Sequence, residues 1–177
     1  FLPAGQLVVY TEGRSEKRRE YRTRHSSNTF NGRVVVLIDE QSASAAEIFA
    51  GCMQDLDRGL VVGRRSFGKG LVQRPIDLPN GGMIRLTIAH YYTPSGRCIQ
   101  KPYTKGDKKS YDEDMLNRIN SGELTSADSI HFSDSLRYTT KGGRTVYGGG
   151  AIMPDLFVPL DTTQMTKAHR AVIAKGS

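Results

Sequence analysis

Residues 34–62 read VVVLIDEQSASAAEIFAGCMQDLDRGLVV, and the pattern changes character twice along that stretch. Val34-Val35-Val36-Leu37-Ile38 is continuously apolar and largely β-branched, the pattern of a strand covered on both faces, as in a parallel sheet; it is expected to be central. From Ala45 the apolar residues Ala45, Ile48, Phe49, Cys52, Met53 and Leu56 recur at helical spacing, which predicts one buried face with Gln54, Asp55 and Asp57 mostly off it. Gly59 is expected to end that helix. Leu60-Val61-Val62 is a second short apolar run, able to pair parallel to the first through a right-handed crossover. The stretch therefore predicts a β-α-β unit whose helix opens at Ser42–Ser44, and an α/β fold.

Working outward, Leu7 to Thr11 reads as a strand between Gly5 and Gly13, and Asn31-Gly32 turns the chain into Val34. Downstream, residues 71–78 and 83–92 flank Pro79-Asn80-Gly81-Gly82 and predict a β-hairpin. Pro94-Ser95-Gly96 makes a further turn before Ile99. Residues 101–145 are polar and charged, with a helix expected near Asp112–Asn120 and a hairpin around Lys141-Gly142-Gly143. That segment is read as an insertion within a single domain spanning residues 1–177. Residues 151–160 predict a last strand, Gly148-Gly149-Gly150 a tight turn into it, and the tail after Asp161 is weakly helical.

At 177 residues the chain is long enough to bury a core without disulfides or a metal. It opens on Phe1, and Leu2-Pro3-Ala4-Gly5 resembles the middle of a connection, so a piece of a longer, incomplete domain is expected. No stretch approaches the roughly 20 apolar residues that cross a bilayer, and no basic-then-apolar leader is present. Cys52 and Cys98 give no disulfide framework. The formal charge of +7 invites a nucleic-acid reading. However, the six basic residues from Arg14 to Arg24 are interrupted by Glu16 and Glu20, and no nucleic-acid-binding motif accompanies them. The run is read as a solvated, mobile loop, and no nucleic-acid partner is expected.

The chemistry-bearing residues cluster around the helix head. In Ser42-Ala43-Ser44-Ala45-Ala46-Glu47, small hydroxyl residues precede a helix whose first-turn N–H groups and dipole can stabilise an oxyanion. The structural alternative is an N-cap, with Glu47 reaching back as in a capping box. Lys69 follows the second strand in the glycine-flanked Phe67-Gly68-Lys69-Gly70, at the same end of the sheet as the helix head. A lysine becomes a base at neutral pH only where an apolar, water-poor setting lowers its affinity for the proton. A surface or anion-binding lysine is the alternative. His25, His90, His131 and His169 lack a nucleophile or acid setting, with His90 read as a packed strand residue. Cys52 and Cys98 are read as small hydrophobes. No metal-ligand spacing and no dinucleotide loop are found, so no cofactor is expected.

Val36-Leu37-Ile38 before Ser42-Ala43-Ser44-Ala45-Ala46-Glu47-Ile48, then Val62-Gly63, Phe67-Gly68-Lys69-Gly70 and Gln73, resembles the C-terminal processing (tail-specific) peptidases. Leu86-Thr87, Tyr91 to Arg97 with Ile99-Gln100, and Pro154-Asp155 are similar to later blocks of that family. The likeness covers about residues 1–100 and 148–160. It implies a crotonase- and caseinolytic-protease-like α/β core. It also implies Ser44 as nucleophile, Lys69 as general base, Gln73 orienting the lysine, and the Ala45 N–H as an oxyanion donor. Ala46 and Cys98 stand where relatives often carry serine. The family's Asp-Leu-Arg-like segment, which supplies a second oxyanion donor, and its PDZ module lie upstream of the stretch seen here, so this piece is expected to be poorly active. The resemblance further implies protein substrates with apolar C-terminal regions and a bacterial periplasm or cell-envelope setting. It leaves homo-oligomerisation open. A non-catalytic binding module on the same architecture is the rival reading.

Overall fold

The computed structural model describes residues 1–25, 27–104, 106–163 and 166. In chain order its elements are β1 (Leu7–Glu12), β2 (Arg19–Arg22), β3 (Val35–Ile38), α1 (Ala45–Asp55), β4 (Leu60–Gly63), β5 (Leu71–Asp77), β6 (Met83–Tyr92), α2 (Lys108–Asn120), β7 (Arg137–Thr139), β8 (Thr145–Tyr147) and β9 (Leu156–Phe157). The weakly helical tail expected after Asp161 falls mostly outside the described residues, as does His169.

The β-α-β unit forms as expected. β3 and β4 are parallel, with Val35 opposite Leu60 and Ile38 opposite Gly63, and β9 adds to the far side of β4, also parallel. The strand order β3-β4-β9 makes β3 an edge rather than the expected centre. One face of this sheet packs on α1: Ile38, Ala50, Val61, Ile99 and Ile152 form the core, with Val36, Ile48 and Tyr91 against it. Each buried branched side chain contributes roughly 1.5–3 kcal/mol relative to exposure. The opposite face is bare, since Leu37 is 77% and Val35 59% exposed. The expectation of a strand covered on both faces is thus corrected: among the described residues only one face has a cover.

The buried stripe of α1 also departs from its periodicity. Ala45 and Phe49 are exposed, whereas Gln54 and Asp55 are buried at 2%. The reason is a polar network under the helix C-terminus. Asp55 pairs with the buried Arg97, and Gln54 donates to Asp155 Oδ1 (2.9 Å) and accepts from Arg97 (3.0 Å). Asp155 in turn accepts from the Val61 N–H (2.8 Å), joining β4 to the segment before β9. Buried polar groups are tolerated where partners of this kind are present. The helix ends at Asp55 with Leu56 as its C-cap, and the chain turns away at Asp57, whose φ of 53° lies in the left-handed region, two residues before the expected Gly59. The N–H groups of Arg58 and Gly59 close the turn on the Met53 carbonyl.

A second, antiparallel sheet has the order β2-β1-β6-β5. The β5–β6 hairpin is the one anticipated, with a bulge where Val72 faces Ala89 and Gln73 faces Thr87. The basic run is not a loop throughout, because β2 pairs antiparallel with β1. Arg18 and Arg22 both clasp Glu20, which gives the segment alternate charges along an exposed strand. In the 101–145 segment, α2 starts four residues earlier than expected, and β7–β8 form the expected hairpin. The segment is anchored through Arg118, whose buried guanidinium bonds Glu123 (2.7 Å) and the carbonyls of Ser66 (2.9 Å) and Arg65 (2.7 Å).

Candidate active site

Between β3 and α1 the chain makes a tight turn organised by Asp39. Its Oδ1 accepts from the Ser42 hydroxyl (2.9 Å), the Ser42 N–H (2.9 Å) and the Gln41 N–H (3.1 Å), while the Asp39 N–H donates to Ser42 Oγ (3.0 Å). Burial pushes the Asp39 carboxyl up, but these bonds and the nearby Arg64 charge outweigh it and hold the group below its ordinary value. The Ser42 hydroxyl is therefore occupied in shaping the turn. Ser44, two residues on, is exposed at the N-cap of α1 with φ 59° and ψ −118°. A non-glycine residue in such a conformation stores about 1–3 kcal/mol and persists only where its surroundings impose it. A strained serine on a strand-to-helix turn has its hydroxyl presented outward, as in the nucleophile elbow of the α/β-hydrolases. Ala45 follows as the first helical residue, and its N–H has no partner within the helix.

Glu47 imposes the conformation. Its side chain is fully buried, with Oε2 accepting from the N–H groups of Ser44 (2.9 Å) and Lys69 (2.8 Å). Oε1 accepts from Ser66 Oγ (2.5 Å) and the Gly68 N–H (2.7 Å). The next N–H, that of Gly70, goes to Gln100 Oε1 (2.9 Å). Three successive amides of the Phe67-Gly68-Lys69-Gly70 loop are thus fixed by two side chains, and one carboxylate oxygen holds both the Ser44 and Lys69 backbones. Two glycines permit these approaches. A Cβ on Gly70 would lie 2.5 Å from the Gln100 nitrogen, and one on Gly63, at the end of β4, would lie 1.9 Å from the Ile38 carbonyl oxygen.

The sequence profile described as peptidase family S41 matches residues 1–110, more than half of the chain. The chain belongs to peptidase family S41. Its sequence is 45% identical over 101 residues to a carboxy-terminal-processing protease of Bartonella bacilliformis, covering 56% of this chain and 23% of that protein. It is 34% identical over 135 residues to a carboxyl-terminal-processing protease of Synechocystis, covering 76% of this chain and 30% of the relative. The photosystem II D1 C-terminal processing protease shares the fold, with a TM-score of 0.55 at 22% identity, across 98% of this chain and 33% of that one. The chain thus spans a quarter to a third of the length of these relatives, and its mixed α/β architecture is that of an S41 protease fold.

In this S41 chain the four residues singled out from sequence fall at one end of the β3–β4 sheet and along the adjoining strand. Ser44, Ala45 and the Lys69 loop converge through Glu47. Gln73 lies on β5, four residues beyond Lys69, and both line a cavity of about 800 Å³. Among the described residues no hydrogen bond joins Gln73 to Lys69, and the Lys69 side chain is exposed at the cavity rim rather than enclosed. His90 is half-buried across the strand pair from Leu71 and faces the same cavity instead of packing in a core. Cys98 lines it too, its thiol pushed up by burial. Cys52 is buried in α1, with burial and then Asp55 pushing its thiol to about 12.

Two functional positions were not assigned from sequence. From sequence Glu47 reads only as a cap partner of Ser42 or Ser44; it does reach back to the Ser44 N–H, but it also carries the Lys69 loop. Gln100 was part of a matching block with no role attached. The available signal for Glu47 was a carboxylate next to the buried positions of a helix, where an ionisable side chain needs several partners.

Proposed function

We propose that this chain carries the nucleophile and base of a serine endopeptidase, Ser44 and Lys69. The observation that carries the reading is the Glu47 carboxylate bound at once to the Ser44 and Lys69 backbones, beside a strained serine at a helix head. Ser44 Oγ attacks a peptide carbonyl while Lys69 Nζ takes its proton, and the Ala45 N–H faces the oxyanion. Collapse of the tetrahedral species expels the amine, which receives the proton from Lys69. Water then attacks the Ser44 ester, Lys69 again taking and returning a proton, and the acid leaves. Gln73, along the strand from Lys69, orients the lysine. No cofactor enters.

The substrates we propose are proteins with accessible, apolar C-terminal regions, recognised in the longer polypeptide with the help of a PDZ module. The names of the relatives, carboxyl-terminal-processing proteases of bacteria among them, support action at C-terminal regions; the setting we propose with it is the periplasm or cell envelope of a bacterium. Among the described residues no helix is long and apolar enough to cross a membrane.

The exposure of Lys69 favours a second reading for the 177-residue chain by itself, a binding module or poorly active piece, because the side chain is open to water rather than enclosed in an apolar pocket. Casein hydrolysis by the longer polypeptide separates the two. Native protein should cleave, and Ser44→Ala and Lys69→Ala should each lose about a hundredfold or more of the rate. Equal rates in all three would assign the chemistry elsewhere.

A further inference from the structure

The cavity that Lys69 opens onto has a floor and a wall of different origin. Its floor is one face of the β5–β6 hairpin, with Leu71 opposite His90 and Gln73 opposite Thr87. Its wall is the opening of the 101–145 segment, Pro102, Tyr103 and Tyr111. Lys101 sets that wall: it is 7% exposed, and its Nζ donates to the Tyr111 carbonyl (3.1 Å) and Asp114 (3.1 Å). The same ammonium lies 4.1 Å from the Tyr111 ring and 4.7 Å from the Phe67 ring. Tyr111 is thereby fixed, and Tyr103 meets it edge-on with centroids 5.8 Å apart while remaining 59% exposed.

Three properties indicate what would enter. The lining is apolar and aromatic on two sides, no lining residue is a carboxylate, and Lys69, Lys101 and His90 all border it. A basic side chain would find no counter-charge there. β5 is also an edge strand, with Pro75 near its outer end, so an extended polypeptide can run along it with one side chain turned into the cavity.

We propose that Tyr103 and Tyr111 form a specificity subsite for an apolar or aromatic side chain of the polypeptide substrate, one that rejects lysine and arginine. The inference rests on the Ser44–Lys69 reading for its catalytic meaning, and its test keeps the two apart. In the full-length protein, cleavage of a mixed peptide library should show an apolar preference at one position near the cut bond. Tyr103→Ala should flatten that preference about tenfold at that position alone, whereas Tyr103→Phe retains it. Because Tyr103 is exposed, its replacement leaves the fold standing. In a Ser44→Ala background, binding of the preferred peptide, followed by fluorescence anisotropy, should weaken to the same degree with Tyr103→Ala. Cleavage with an unchanged preference, or binding indifferent to Tyr103, overturns the subsite. Cleavage that survives Ser44→Ala, with Tyr103-dependent binding intact, overturns the Ser44 nucleophile and keeps the subsite.

Discussion

Four donors converge on the Glu47 carboxylate, one oxygen of which bonds the backbones of both Ser44 and Lys69. Glu47→Gln keeps the shape but turns one acceptor into an NH₂ group facing an N–H or hydroxyl donor. That mismatch should lower stability by about 1–3 kcal/mol, measured as a shift in the urea midpoint. Activity per folded molecule should fall as well, since the Ser44 backbone loses part of what holds its left-handed turn. An unchanged midpoint would mean that other contacts fix the two loops. The choice between Ser42 and Ser44 also belongs here. From sequence it rested on resemblance, because two serines two apart look alike; in three dimensions Asp39 engages the Ser42 hydroxyl and leaves Ser44 facing solvent.

At the level of elements, the parts set by local pattern were legible. α1, the β3–β4 pairing, the β5–β6 hairpin and the β7–β8 hairpin all follow from periodicity and turn residues within a few positions of one another. Relations across long separations were not. A run such as Val34 to Ile38 reads the same whether its second face is covered or bare, and nothing near Gln54 or Asp55 announces that Arg97 and Asp155 will make their burial tolerable. The one-sided sheet has a measurable consequence. In the 177-residue chain, Ile152→Ala, at a site with no exposure, should cost about 2–5 kcal/mol. Leu37→Ser, on the bare face, should change stability by no more than about 0.5 kcal/mol. Comparable losses in both would show that the outer face is covered in solution.

For the whole molecule, burial and pairing of titratable groups set the range of pH over which the fold holds. The carboxyl of Asp57, like that of Asp39, is pushed up by burial but held below the ordinary 3.8, in this case by Arg144, Thr140 and the Gly142 N–H. As pH falls the unfolded chain takes up these protons first, so the stability they provide is present above 3.8 and is lost as pH drops through the lowered native values. The formal charge of +7 adds self-repulsion on that side. On the alkaline side Cys52 and Cys98 are raised from 9.0 and Tyr10 and Tyr92 from 10.0, in each case by burial first. There the unfolded chain loses protons first, so stability is present below 9.0 and declines as pH rises toward the raised native values. The urea midpoint should therefore be level from about pH 5 to 8 and fall on both sides. Replacing both cysteines by alanine should move the alkaline onset from 9.0 toward 10.0, where Tyr10 and Tyr92 take over. An onset unmoved by that double replacement would mean that the thiols ionise as freely in the folded chain as in the unfolded one.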